Sequence, residues 1–138
     1  MKNQKQHICL VDGSTYIFRA YHALPPLTRK SDGFPVGAIS GFCNMLDKLV
    51  REEKEKKGIT HLVVVFDASG KTFRNEIYPE YKANRSEAPE DLIPQFPVIR
   101  KATSAFSIPF VELLGYEADD LIASYAEEAQ KHNMKVTI

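Results

Sequence analysis

The chain has 138 residues, and 43% hydrophobic content is enough for a core in one domain or part of one. Its 18 Lys and Arg balance its 18 Asp and Glu, so overall charge points to neither nucleic acid nor membrane, and such binding must rest on local patches. No apolar stretch approaches a membrane span and the opening Met1-Lys2-Asn3-Gln4-Lys5-Gln6 has no signal-peptide core, which makes the cytoplasm the expected location.

His7-Ile8-Cys9-Leu10-Val11, followed by Asp12-Gly13, is a short apolar run that reads as a buried parallel strand. Ser14 can cap a helix with Ile17, Ala20, Tyr21 and Leu24 at i, i+3, i+4 and i+7, ended by Pro25-Pro26. After a polar loop with Asp32-Gly33, the positions Ile39, Phe42, Cys43, Leu46, Leu49 and Val50 predict a long amphipathic helix from Val36 to about Lys57. The mixed-sign run Arg51 to Lys57 is a solvated helix end closed by Gly58. Cys9 and Cys43 have no metal-ligand spacing and read as buried thiols of a reducing compartment.

His61-Leu62-Val63-Val64-Val65-Phe66 is the second strand, and it too is followed by an acid, Asp67. Periodicity is weak from Ala68 to Ala88, and Pro94 and Pro97 are expected to break or kink any helix between Glu90 and Phe106. A third strand, Ile108 to Val111, precedes Gly115-Tyr116-Glu117-Ala118-Asp119-Asp120. There a helix begins whose core stripe is Ala118, Leu121, Ile122, Tyr125 and Ala129. Lys135-Val136-Thr137-Ile138 opens a fourth strand, and the expectation is an α/β fold cut after it.

The acids carry the chemistry. In a parallel sheet functional groups collect at the carboxyl ends of the strands, so Asp12 and Asp67 belong on one rim. If the third strand brings Glu117, Asp119 and Asp120 there as well, five carboxylates meet, a density that disfavours folding without cations. Such hard oxygen ligands suit Mg²⁺ or Mn²⁺. The competing explanation is structural: Asp-Gly makes turns, and acids in a first helical turn gain roughly 0.3–1 kcal/mol each from the helix dipole. On a helical wheel Glu117 and Asp120 lie together while Asp119 points elsewhere.

The segment from Lys71-Thr72-Phe73-Arg74 to Tyr81-Lys82-Ala83-Asn84-Arg85 interleaves cations with aromatics. That composition suits a surface that pairs phosphates and stacks bases, and equally an ordinary charged loop. Gly70-Lys71-Thr72 ends like a phosphate-binding loop, but the required first glycine would fall at Val65, inside a strand. Ser14 stands where an aspartyl-phosphate phosphatase has its second Asp, and His7, His22, His61 and His132 share no zinc spacing.

Four motifs in order resemble one known family. Leu10 through Leu27, Val64 through Arg74, Tyr81 through Arg85 and Gly115 through Asp120 look like the 5′-nuclease domain at the amino end of bacterial DNA polymerase I, a relative of the flap endonucleases. The resemblance runs over nearly the whole chain. It implies a PIN-like (resolvase-like) three-layer α/β fold with a central, mainly parallel sheet. It also implies Mg²⁺- or Mn²⁺-dependent hydrolysis of DNA and RNA-primer phosphodiesters at 5′ ends and 5′ flaps, in replication and repair. By matching position, Asp12, Asp67, Glu117, Asp119 and Asp120 correspond to the family's first acidic cluster. Lys82 and Arg85 resemble the cations of its helical arch that face the scissile phosphate, and Tyr81 lies beside them for base stacking. Arg19, Lys71 and Arg74 resemble DNA contacts.

In that family a Ser/Thr-x-Asp-x-Asp segment follows the fourth strand and supplies the second metal's ligands, with a helix-hairpin-helix-like duplex-binding region further on. Residues 1–138 are therefore expected to be the amino-terminal portion of one such domain, which can stand before polymerase domains in a bacterial, nucleoid-associated protein. The expectation is that the complete protein carries the activity. Two other readings remain at this level: a non-catalytic nucleic-acid-binding PIN-like fragment, and a metal-dependent phosphoesterase for small substrates. The cationic, aromatic segment argues against the second.

Overall fold

The computed structural model describes residues 5–68, 77 and 89–138. Among them β1 (His7–Asp12), β2 (His61–Val65), β3 (Phe110–Val111) and β4 (Lys135–Thr137) form one sheet in the order β3-β2-β1-β4. Every pairing is parallel: Leu10 lies beside Val63, Ile8 beside Val136 and Val65 beside Val111. The β3 strand is half the length expected for the Ile108–Val111 run, which joins the sheet with its last two residues.

Strand alternation divides the core in two. Cys9, Val11 and Val64 point to one face, where they pack with Ile17, Ala20, Phe42, Leu46 and Ile99. Those partners come from α1 (Gly13–Ala23), α2 (Gly37–Lys48) and α4 (Gln95–Ala105). Leu10 and Val65 point to the other face, against Ala118 and Ile122 of α5 (Ala118–Lys131). Helices on both faces of a parallel sheet make three layers, and the strands read as unbroken apolar runs because both of their sides are covered.

The helices start and stop for reasons visible in single residues. Gly41 of α2 lies against Ala20 of α1, so close that a Cβ there would sit 2.8 Å from the alanine's Cβ. The long helix from Val36 is not continuous. It runs as α2, a π-helical turn at Leu49–Glu53 and a last turn, α3, at Lys54–Lys57, and the π turn places one more residue in the helix frame. Gly58 ends it with φ 66°, a left-handed conformation that glycine adopts without steric cost.

Two further expectations are corrected. Pro94 and Pro97 do not break the helix: Pro94 is its N-cap and Pro97 its third residue, inside the first turn, where a missing N–H costs nothing. Gln95, only 2% exposed, joins two helix starts. Its Oε1 accepts the Ile39 N–H of α2 at 3.0 Å and its Nε2 donates to the Asp91 carbonyl at 2.8 Å. In α5, Tyr125 is 41% exposed and Ala126 packs in the place given to it.

Candidate active site

Asp12 is the last residue of β1 and the N-cap of α1, its Oδ1 accepting the Thr15 N–H at 3.1 Å. The cap is therefore Asp12 and not Ser14, since capping needs an acceptor on the residue whose backbone is still extended. Gly13 follows for steric reasons. A Cβ there would lie 2.6 Å from the Phe66 ring and 2.8 Å from Val64, so only glycine lets α1 start this near β2.

Ser14 has a different role. Its Oγ accepts the Asp67 N–H at 3.1 Å, which links the start of α1 to the residue two beyond the end of β2. The Asp67 Oδ1 in turn accepts the Ala118 N–H, the first amide of α5, at 2.6 Å. The Asp67 carbonyl accepts from Arg100 Nη2 of α4 at 3.2 Å. One acidic residue is thus held by three helices, and its carboxylate sits at the positive end of α5.

Glu117 is the N-cap of α5 and forms a reciprocal capping box with Asp120, whose Oδ2 accepts the Glu117 N–H at 2.9 Å. Asp119 is exposed in the same turn. Asp12 and Asp67 thus stand at the carboxyl ends of adjacent strands, and Asp67 touches the acidic helix. Among the described residues no three His, Cys, Asp or Glu side chains are gathered closely enough to hold an ion. The rim divides between two hollows of about 520 Å³ each: Asp67, Ser14, Phe66 and Arg100 line one, and Asp12 and Arg19 line the other together with Lys48 and Lys57. Arg19 is exposed and lies over the Tyr16 ring at 5.7 Å. Lys71, Arg74, Tyr81, Lys82 and Arg85 lie outside the described residues.

Two residues at this rim escaped the sequence reading. Glu112 directly follows β3, as Asp67 lies just past β2, so a strand-end acid was legible there and went unused. It pairs with Arg100, Nη2 to Oε2 at 2.8 Å, and the Arg100 guanidinium also stacks over Phe66 at 4.6 Å.

Comparison with known proteins now decides the family. The family model described as "5'-3' exonuclease, N-terminal resolvase-like domain" matches residues 7–138. The chain belongs to this family. It is 60% identical over 135 residues to a DNA polymerase I of Rhizobium leguminosarum, covering 96% of the chain and 13% of that protein. It is 46% identical over 129 residues to a 5'-3' exonuclease of Aquifex aeolicus, covering 94% of the chain and 43% of that protein. The chain thus spans less than half the length of these relatives. Among solved structures, a T5 D15 protein co-crystallized with metal ions superposes with TM-score 0.64 at 22% identity, over 90% of this chain and 45% of that one. A T5 D15 flap endonuclease complex with DNA and metal ions gives 0.62 at 24%, over 94% and 46%. At those identities the likeness shows the fold, which is PIN-like.

Proposed function

We propose that this chain carries the first acidic cluster of a 5′-3′ exonuclease and flap endonuclease domain, which hydrolyses DNA and RNA-primer phosphodiesters in replication and repair. The observation that supports it most is the placement of Asp12 and Asp67 at the ends of adjacent parallel strands, with Asp67 bonded to the first turn of the acidic helix. Activity belongs to the complete protein, in which residues 1–138 form the amino-terminal portion of one domain, and polymerase domains can follow it in the parent protein. Its site of action is then the cytoplasmic DNA.

All five candidate ligands are carboxylates, the donor type that hard divalent cations take, while no three of them stand close enough together in this structure to hold an ion. Asp12, Asp67, Glu117, Asp119 and Asp120 would hold Mg²⁺ or Mn²⁺. When bound, such an ion lowers the pKa of a coordinated water and offsets charge on a phosphoryl oxygen. The protein's other groups bind and orient the nucleic acid. By the family resemblance, Lys82 and Arg85 would act on the scissile phosphate, Tyr81 would stack a base, and Arg19, Lys71 and Arg74 would bind the sugar-phosphate backbone.

A second reading draws on the caps. Asp12, Asp67 and the Glu117–Asp120 pair each close a helix start, which is what a non-catalytic nucleic-acid-binding domain would also require. Calorimetry separates the two. Acids that repel one another without a cation give a melting temperature that rises with Mg²⁺ or Mn²⁺, by less in Asp12→Asn and Asp67→Asn. No metal-dependent shift in the unsubstituted protein would leave only the capping role.

A further inference from the structure

Arg100 lies on α4, an element that contributes none of the candidate ligands, yet its guanidinium reaches the Asp67 carbonyl at the rim. It is 21% exposed and makes contacts of four kinds. Nε and Nη2 form a fork with Glu112 at 2.8–3.3 Å. Nη1 donates to the Phe96 carbonyl at 3.3 Å and Nη2 to the Asp67 carbonyl at 3.2 Å. The plane of the group lies over the Phe66 ring, its carbon 4.6 Å from the centroid. Phe66 is the residue before Asp67 and is 1% exposed.

Two of these contacts, to the Phe66 ring and the Asp67 carbonyl, fall on one short piece of chain. Phe66 and Asp67 continue the chain past the end of β2, where ladder bonds run out: the Phe66 N–H still reaches the Val111 carbonyl at 2.9 Å, and the Asp67 N–H leaves the sheet for Ser14. Arg100 supplies the bond on the carbonyl side of Asp67, and its fork to Glu112 ties that bond to the end of β3. A planar, five-donor group can do this from one position, whereas a lysine ammonium cannot form the fork and the carbonyl bond together.

We propose that Arg100, anchored by Glu112, is a positioning residue for Asp67. It fixes the backbone from which the Asp67 carboxylate reaches both the α5 amide and the ion assigned to the rim. The inference rests on the metal-binding reading above. Arg100 donates to the carbonyl and not to the carboxylate, so both carboxylate oxygens are left to other partners while the backbone that carries them is held. Ion-binding sites depend on such outer partners, whose loss typically costs about 10–100-fold in metal affinity or activity.

The test is Mn²⁺ binding to the complete protein, followed by the paramagnetic resonance of the free ion, alongside thermal melting without metal. Arg100→Gln is expected to weaken Mn²⁺ binding by about 10-fold, at the lower end of that range. Arg100→Lys, which keeps the charge but loses the planar fork, should lose less Mn²⁺ affinity than Arg100→Gln. Mn²⁺ affinity within twofold of the unsubstituted protein in Arg100→Gln, with a lowered melting temperature, would show that Arg100 supports packing only and would overturn the proposal. Glu112→Gln provides the same comparison if Arg100→Gln does not fold, because it loosens the fork while leaving Arg100 in place. It should also weaken Mn²⁺ binding, and unchanged affinity there would equally overturn the proposal. Asp67→Asn is the control that separates the two ideas: full Mn²⁺ affinity in this variant would defeat the metal-binding reading itself.

Discussion

The Asp67 carboxylate accepts the backbone N–H of Ala118 at 2.6 Å across 51 positions of sequence. A strand-end acid thereby caps a helix belonging to a different part of the chain, and the bond couples the end of β2 to the start of α5. A carboxylate has two oxygens, so one can serve the helix while the other has capacity for a further partner.

Charge and hydrogen-bonding capacity at Asp67 can be separated by substitution. Asp67→Asn keeps an oxygen able to accept the Ala118 amide, so it should change stability by only a few tenths of a kcal/mol, whereas Asp67→Ala removes the acceptor and should cost about 1 kcal/mol, as lost caps do. Urea denaturation of both variants without metal measures the difference. Equal stabilities would mean that the bond to Ala118 contributes nothing.

Gly13 has no room for a side chain. A Cβ would lie 2.6 Å from the Phe66 ring, which is itself fixed beneath Arg100 and against Phe110. Gly13→Ala should therefore destabilise the protein by about 1–3 kcal/mol, in spite of alanine's better helix propensity, because overpacking a filled core costs that much. Thermal melting checks it, and an unchanged or raised Tm would contradict the packing argument.

The loop before α2 contains a pH-sensitive pair. The hydrogen bond from Arg29, and then the Phe34 N–H, hold the Asp32 carboxyl down at about 2. This value lies below the ordinary carboxylate value of about 3.9 for an unfolded chain. The pair's contribution to stability is thus present above that ordinary value and is lost as pH falls through about 2. With both side chains about half exposed the effect on folding is small, so the readout is the titration itself. Arg29→Ala should raise the Asp32 pKa toward its ordinary value in a carbon-13 NMR titration; no change would assign the shift to another cause.

Among the cations that the family resemblance assigns, two kinds of behaviour are expected. Lys82→Ala and Arg85→Ala should lower kcat more than they raise KM, because a charge aimed at the reacting phosphate acts chiefly in the transition state. Lys71→Ala and Arg74→Ala should instead weaken binding and flatten its salt dependence. Flap-cleavage kinetics at several salt concentrations distinguish them, and equal losses of binding in all four variants would show that the arch is misassigned.

The sheet and the acids at its rim were legible because their signals are local. Continuous apolar runs such as His61–Val65 mark strands covered on both faces, and acids at their ends are visible in one dimension. Local spacing also set Glu117 beside Asp120. What could not be read depends on tertiary neighbours. The Arg100–Glu112 pair and the Gln95 bond to Ile39 join distant segments, and no periodicity announces them. Other misses were errors of local chemistry. Asp12 competes with Ser14 for the cap and wins because its backbone is the extended one. Pro94 and Pro97 were read as breakers although a first turn tolerates them.

The central claim is that the acids at this rim hold the ion for phosphodiester hydrolysis, and a flap-cleavage time course of the complete protein in Mg²⁺ tests it most directly. Asp67→Asn, folded and melting near the unsubstituted protein, should cleave a 5′-flap substrate more slowly by a factor on the order of 10³ or more, since a lost metal ligand forfeits several kcal/mol of transition-state stabilisation. The unsubstituted protein should lose its activity in excess chelator and regain it with Mg²⁺ or Mn²⁺. Cleavage by Asp67→Asn at the unsubstituted rate, or cleavage that continues in chelator, would contradict the account.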